Sequence, residues 1–476
     1  MNSQLKKGFI FTAIGTYSNF IVQIIIQTIL SRLLTPHEYG IVAIMQVFIV
    51  FFALMIEAGM GPAIIQNKQL TNDDNRILFN YSAVIGIGIA IFFGFFGLIL
   101  SWIYGNKIYI LLTWIQSISV LFNGLNVVPT ALLNKKKRFK AVNFSIVVGN
   151  LFGGIVGVTL ALRGGGVYSL IFSAITSSFM NFMLNRFFTA IKFSASWDTR
   201  PLKTIWTFSK NQFSFNFINY FSRNSDNILI GKFMGADSLA NYSKAYQLLM
   251  IPSTLLMGVI GPVLQPVLSD YQDDDYYVRK TSYSIVHLLG LIGMPLSIFL
   301  YFTSKPIIFI FFGNQWADAV FPFSMISLTI WSQLVISSFG GIIQARNKSE
   351  LLFKIGVMNA GITVGAIVSG IVFGTINMVS ICLMIAFFIN FFISSLIIVK
   401  KVLNDKYFNF LNNFSSPLIL GGLVFILLWT TSLIPVTNVF FNLTINSSVF
   451  VITVVLFILF SKERQIIIDI FQKDKE

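Results

Sequence analysis

Long apolar segments recur along the whole chain, and they limit its fold more than any other feature. Each is about 20 residues long, the length that a helix needs to cross the ~30 Å hydrocarbon core of a bilayer. Their apolar residues are continuous rather than alternating, which excludes the strands of a membrane β-barrel. We therefore predict an all-α integral membrane protein with about fourteen transmembrane helices. The predicted spans are 9–33, 40–64, 77–104, 110–133, 141–162, 167–186, 206–230, 238–268, 281–303, 320–345, 351–374, 377–400, 415–434 and 447–461.

The composition excludes the main classes of soluble protein. Hydrophobic residues make up 55% of the 476 and charged residues only 11%, against roughly 25% charged in soluble domains. One cysteine, Cys382, forms no internal disulfide, and two histidines, His37 and His287, form no His/Cys metal cluster. We expect His287, on an apolar face, to be structural. We expect the first span to be a membrane helix rather than a cleaved signal peptide, because it is too long and no small-residue cleavage site follows it.

Lysine and arginine are distributed unevenly between alternate loops. If the N-terminus is cytoplasmic, 26 of the 33 fall in inner segments, five in outer segments and two, Arg223 and Lys244, within spans. Positive residues concentrate on the cytoplasmic side of membrane proteins. We therefore predict that both termini, and the loops at 134–140 and 187–205, lie in the cytoplasm. The net charge of +15 follows from this topology and does not indicate a nucleic-acid partner.

The two halves of the chain repeat one pattern at an offset of 200 residues. Gly61-Pro62 recurs as Gly261-Pro262, and polar residues of the first span recur at matching positions of the seventh. Six spans per unit place both units in the same orientation, the parallel repeat found in some transporters. The sequence predicts two six-helix lobes, 1–200 and 201–405, and a segment 406–476 with two peripheral spans and a cytoplasmic tail.

Polar side chains on one face of the first and seventh spans form the main candidate substrate surface. Such residues are costly in a bilayer unless they face protein or water. Two interpretations stay open: each residue joins helices by hydrogen bonds, or the two stripes line a shared wet cavity, which we favour for the pair. The candidate substrate-binding residues on these stripes are Asn19, Gln23, Gln27, Asn216, Asn219 and Asn227.

Charged residues within the spans are a second set of candidates. Arg223 and Asp226 lie three residues apart on one helix face. Either they form a self-neutralising pair, or Arg223 faces an anionic substrate while Asp226 tunes it or takes a cation. Lys244 lies early in the eighth span. Glu57, in the second span, is a candidate proton or cation site, or a carboxylate held neutral by burial. Asp226 is an alternative ion-coupling residue.

Glycine spacing predicts close helix packing at two places. Gly149, Gly153 and Gly157 share one face of the fifth span, and Gly361 and Gly365 one face of the eleventh.

The sequence lacks the motifs that are typical of ATPases and of enzymes with an outer catalytic domain. The sequence has no phosphate-binding Walker motif, and no outer loop is long enough for a catalytic domain. We therefore expect neither enzyme activity nor a cofactor or metal, and transport coupled, if at all, to a proton or Na⁺ gradient.

Three segments share a pattern with a known family. They are 30–40 after the first span, 132–139 at the end of the fourth, and 224–235, which Tyr242-Ser243-Lys244-Ala245-Tyr246 follows. Together they resemble the bacterial polysaccharide (oligosaccharide-lipid) flippases of the multidrug/oligosaccharidyl-lipid/polysaccharide exporter superfamily. The resemblance implies two six-helix lobes in a V. It also implies a place in the bacterial plasma (inner) membrane and movement of undecaprenyl-diphosphate-linked repeat units to its outer leaflet. A cationic lumen is implied as well, which we assign to Arg223 and Lys244.

The function predicted from the sequence is therefore that of a flippase for lipid-linked oligosaccharides in capsule or exopolysaccharide assembly, working by alternating access. The expected partners are this substrate, membrane lipid, and polysaccharide polymerase and assembly proteins, with the chain itself a monomer. Two alternatives stay open, a cation-coupled multidrug exporter of the same superfamily and a membrane-embedded glycan polymerase. The latter needs a large outer loop with catalytic Arg or His, which the sequence lacks.

Overall fold

A computed structural model describes residues 3–57 and 59–464, and over these residues the chain forms α-helices, one 3₁₀ turn and no β-strand. The predicted all-α fold class is confirmed. Side chains are described except at 3–14, 207–208, 210–212, 214–219, 221–223, 257–263, 265–267 and 349.

The chain divides into two compact units, Met1–Ala240 and Asn241–Glu476. The first contains α1 (Ser3–Leu33), α2 (Pro36–Glu57), α3 (Met60–Gln66), α4 (Asn72–Tyr104), α5 (Ile108–Lys135), α6 (Phe139–Leu162), α7 (Val167–Thr189) and the first part of α8 (Arg200–Ser269). The second contains the rest of α8, α9 (Asp275–Phe302), α10 (Ser304–Phe311), a 3₁₀ turn (Asn314–Ala319), α11 (Val320–Ser327), α12 (Ile330–Ala345), α13 (Ser349–Val372), α14 (Ile376–Lys401), α15 (Tyr407–Asn412), α16 (Ser415–Ser432) and α17 (Val439–Phe460).

Ten helices of the described chain are long and apolar enough to cross a membrane. The number is eleven if the pair Asn314–Ser327 and Ile330–Ala345, bent by 57°, is one span. These eleven correspond to predicted spans, and the chain is a multi-pass membrane protein. The other three predicted spans fall on α1 and α8, so the number fourteen stays a prediction, as do the repeat and the lobe boundaries.

Helix α8 contains a break that matches the predicted boundary between the seventh and eighth spans. It has 70 residues, roughly 105 Å at about 1.5 Å per residue, far more than one crossing needs. Gly235 has a φ of 85° and a ψ of 177°, a conformation open to glycine because it has no Cβ. The helical stretches on either side, 200–234 and 236–269, are each long enough for one span.

The predicted glycine packing is confirmed in α6 and is wrong in α13. A Cβ on Gly153 would lie 2.6 Å from the carbonyl oxygen of Ser173 in α7, and one on Gly157 would lie 2.9 Å from the Cβ of Ser173. At Gly361 and Gly365 a Cβ would meet nothing within 4 Å. The spacing of small residues permits close approach but does not specify a neighbouring helix.

The loop that joins α7 to α8 is fastened to the start of α4. The side chain of Asn80 donates to the carbonyl of Ser194 (2.8 Å) and accepts from its backbone N–H (3.0 Å). Arg200 forms an ion pair with Asp74 at 2.8 Å. The longest polar loop is therefore held against the start of α4 by two hydrogen bonds and an ion pair.

The last two helices belong to the second unit, where α16 packs on α9 through a cluster of Leu291, Leu420, Val424 and Leu428. His287 of α9 lies 2.7 Å from the carbonyl oxygen of Asn413 and 2.8 Å from Glu463 Oε2. Both ring nitrogens therefore join α9 to the C-terminal segment, which confirms the structural role predicted for His287.

Candidate functional site

The first family-like segment, residues 30–40, builds the start of α2. The backbone N–H and hydroxyl of Thr35 donate to Glu38 Oε2 at 2.7 and 2.9 Å, and the Glu38 N–H donates to Thr35 Oγ1 at 3.3 Å. This is a capping box, which satisfies backbone donors at a helix start. Pro36 occupies the first helical position, where its missing N–H costs nothing.

The same segment packs against Ala236, the residue directly after the third segment, 224–235. A Cβ on Gly40 would lie 2.0 Å from the carbonyl oxygen of Ala236, so α2 and α8 touch backbone to backbone here. Gly235, beside this contact, supplies the positive φ that turns the chain. Two segments almost 200 residues apart therefore form one structural joint within the first unit.

Glu57, a predicted ion-coupling residue, lies at the end of α2 and lines a pocket of about 350 Å³ in the first unit. Its carboxylate is half-buried and makes no hydrogen bond or ion pair with the residues that the structure describes. A Cβ on Gly61 would lie 3.1 Å from Glu57 Oε1, so the missing side chain keeps that side of the carboxylate open. The polar residues that line the pocket with Glu57 are Asn123, Asn126, Thr130 and Asn134.

Asn185 of α7 orients two of these pocket residues. Its side-chain nitrogen donates to Asn126 Oδ1 at 3.0 Å and to Thr130 Oγ1 at 3.1 Å. The residue is buried and is not among the residues predicted from the sequence. The available signal was its spacing of four from Asn181, which places two amides on one face of a predicted span. The pocket thus offers a carboxylate and neutral oxygens, ligands suited to a proton or a hard cation.

The polar stripe of α1 is mostly engaged in helix packing. Asn19 Oδ1 accepts a hydrogen bond from Asn150 of α6 at 2.6 Å, and Asn150 Oδ1 accepts one from Ser177 of α7 at 2.8 Å. Gln27 Oε1 accepts from the hydroxyl of Tyr39 at 3.4 Å. Gln23 is exposed. Of the three candidates, Gln23 is the one whose side chain is presented on the surface.

The seventh-span candidates lie in α8. The side chains of Asn216, Asn219 and Arg223 are outside the described ones. Asp226 and Asn227 are half-buried, and Asp226 Oδ1 accepts a hydrogen bond from the backbone N–H of Asn227 at 2.8 Å. The predicted meeting of this stripe with that of α1, and the role of Arg223, stay predictions.

Lys244 lies inside the second unit, where its side chain is 4% exposed. Its ammonium nitrogen is 4.7 Å from the ring centroid of Phe312 and 5.3 Å from that of Trp316. Contacts of this kind stabilise a desolvated cation by about 2 kcal/mol or more. The aromatic rings therefore explain how this charge is tolerated within the unit, and contact with substrate stays a prediction.

Comparisons with known proteins agree with this picture. A family model described as "Polysaccharide biosynthesis protein" matches residues 29–321. The teichuronic acid biosynthesis protein TuaB of Bacillus subtilis is 22% identical over 74% of each chain. The lipopolysaccharide biosynthesis protein WzxC of Escherichia coli is 23% identical over 84% of this chain and 82% of its own.

Among solved structures, the lipid II flippase MurJ in an inward closed conformation is similar in fold. The two structures superpose with a TM-score of 0.74 at 17% sequence identity. The match covers 96% of this chain and 100% of the MurJ chain. The resemblance indicated by the three sequence segments is therefore confirmed. This chain belongs to the polysaccharide biosynthesis protein family.

Proposed function

We propose that the chain is a flippase that moves undecaprenyl-diphosphate-linked oligosaccharide repeat units from the inner to the outer leaflet of the bacterial plasma membrane, for capsule, exopolysaccharide or a related surface polymer. The observation that supports this most is full-length similarity of fold to a lipid II flippase, joined to membership of a polysaccharide biosynthesis family. Relatives named for teichuronic acid and lipopolysaccharide biosynthesis point the same way. In this proposal the chain is a transporter and not an enzyme.

The proposed mechanism is alternating access by two six-helix lobes that form a V, with the last two of fourteen spans peripheral. Arg223 contacts the diphosphate or an acidic sugar, because a guanidinium offers a bidentate fork to phosphate. Asp226 keeps the empty site near neutral. The remaining proposed contacts with substrate are Lys244, Asn19, Gln23, Gln27, Asn216, Asn219 and Asn227. Glu57 or Asp226 couples transport to a proton or Na⁺ gradient.

Deleting the gene tests this function in cells. We expect the surface polymer to disappear while lipid-linked repeat units accumulate on the inner leaflet, because synthesis continues and translocation stops. Extraction of the lipid fraction and assay of surface polymer measure both effects, and a plasmid copy of the gene restores the polymer. Normal polymer with loss of dye efflux would favour a multidrug exporter instead.

The role of Arg223 makes a specific prediction. We expect Arg223→Ala to lower transport about tenfold or more, since a hydrogen bond to a charged group contributes about 1.5–3 kcal/mol, while the protein inserts at normal levels. Arg223→Lys should recover part of the activity. If Arg223→Ala and Asp226→Asn each abolish expression but together restore full transport, the pair is structural and the proposed contact is wrong.

The proposed topology is tested with an impermeant thiol reagent added to intact cells. In a Cys382→Ser background, we expect a cysteine at Thr437, before α17, to be labelled and one at Lys136, after α5, to be protected. Both positions are exposed, so the side of the membrane decides the labelling. Permeabilised cells, in which both sites react, are the control. Labelling of Lys136→Cys without Thr437→Cys in intact cells would reverse the topology.

A further inference from the structure

A second pocket in the first unit is not used by the proposed mechanism. It has a volume of about 480 Å³ and lies where the start of α2, the end of α4, the start of α5 and residues 231–236 of α8 meet. The volume is within the range of about 300–1,000 Å³ that is usual for ligand pockets. The side chains that carry the argument are His37, Trp102, Tyr104, Asn106, Tyr109 and Lys232.

A fixed cationic group lies at this pocket. The ammonium of Lys232 donates to the carbonyl oxygen of Ile103, which holds the side chain in place and leaves two of its three hydrogens for other acceptors. His37 Nδ1 lies 3.3 Å from Asp237 Oδ1. Lys232 and His37 are exposed, so a ligand can reach both without movement of the helices.

The pocket also offers aromatic surface with polar groups. Tyr109 is 2% exposed, lines the pocket, and its hydroxyl forms no hydrogen bond with the residues that the structure describes. The hydroxyl itself is not fully enclosed, so a ligand in the pocket can donate to it or accept from it. The ring of Tyr104 lies 5.8 Å from that of Tyr109, and Trp102 is 84% exposed. Aromatic side chains of this kind present an apolar face together with a polar tip.

We propose that this pocket binds a saccharide that carries a carboxylate. The rings of Trp102 and Tyr104 contact the apolar faces of the sugar, Tyr109 and Asn106 bond its hydroxyls, and Lys232 pairs with the carboxylate. The inference rests on the proposed function in one respect, the placement of the pocket on the outer side, where it receives the acidic sugar of the glycan after translocation. The start of α2, the end of α4 and the break of α8 at Gly235, which form the pocket, lie on the outer side in the proposed topology.

Binding to the purified full chain in lipid nanodiscs tests the proposal without any transport. The probes are a glucuronate-containing disaccharide and its uncharged methyl ester, and the readout is titration by ligand-observed NMR. We expect the acid to bind about tenfold more tightly than the ester, since one charge-assisted hydrogen bond separates them. Lys232→Gln should remove this preference, and Lys232→Arg should keep it.

The matched control is Lys305→Gln, which removes another exposed lysine, one in α10 that does not line the pocket. This variant should bind like the unmodified chain. Tyr109→Phe, which keeps the ring, should weaken acid and ester equally, and thermal melting of each variant verifies the fold. Equal binding of acid and ester, or a Lys232→Gln variant that retains the preference, would overturn the proposal. If the predicted pattern is found but flipping fails, the pocket stands and the proposed function is wrong.

Discussion

Replacing Glu57 with glutamine should lower gradient-driven transport by about 5–150-fold. This is the factor by which binding at one site typically changes the affinity of a coupled second site. The carboxylate lines a pocket of about 350 Å³ with neutral oxygens nearby and makes no ion pair with the described residues. Glutamine has nearly the same shape but cannot take up a proton or balance a cation. The fold should therefore be unaffected and the response to the gradient lost.

The measurement is uptake of lipid-linked substrate by inverted membrane vesicles with and without an imposed proton or Na⁺ gradient. Glu350→Gln is the matched control, because Glu350 is exposed and pairs with Lys354 at 2.7 Å on a helix surface. It should transport at the unmodified rate. A Glu57→Gln variant that still responds fully to both gradients would exclude Glu57 from coupling.

Gly40→Ala should be the most destabilising single change near the family-like segments. Its Cβ would lie 2.0 Å from the carbonyl oxygen of Ala236, and a backbone atom cannot move aside as a side chain can. Overpacking commonly costs about 1–3 kcal/mol, and this clash with backbone should reach or exceed the upper end. The joint between α2 and α8 would open, with a lower melting temperature in detergent and a smaller yield of folded protein.

Gly88→Ala is the control for this change. Gly88 lies in α4, and a Cβ there meets nothing within 4 Å, so alanine should leave stability unchanged or raise it by about 0.5–1 kcal/mol through its better helix propensity. If the Gly40→Ala and Gly88→Ala proteins have the same melting temperature, the contact between α2 and α8 is not close in the membrane.

Most of the helical architecture could be predicted from two simple properties, the length of the apolar runs and their breaks. The finer geometry could not, because it depends on contacts distant in sequence. The 57° bend between α11 and α12 interrupts an apolar run without any charged residue to mark it. Gly153 and Gly361 have similar sequence surroundings, yet only Gly153 faces a close neighbour.

The candidate site shows the same division. The cost of polar groups in lipid was enough to single out Asn19, but its partner Asn150 is 131 residues away, so helix packing and cavity lining were indistinguishable beforehand. Lys244 was identified as an intramembrane cation, whereas its contacts with Phe312 and Trp316 depend on how the second unit folds. The sequence is thus enough to identify charged and polar residues within the spans, whereas their contacts depend on how the helices pack.

The most direct measurement is translocation of lipid-linked oligosaccharide by the purified chain in proteoliposomes. Undecaprenyl-diphosphate-linked oligosaccharide extracted from cells that express this chain is incorporated in both leaflets. An impermeant oxidant then measures the share of it exposed outside. With the chain present, we predict that exposure rises with time beyond the outer-leaflet share seen in protein-free vesicles, and that Arg223→Ala vesicles resemble the protein-free ones. An exposed share that stays equal with and without the chain, in vesicles that remain sealed, would contradict the assignment of this protein as a flippase.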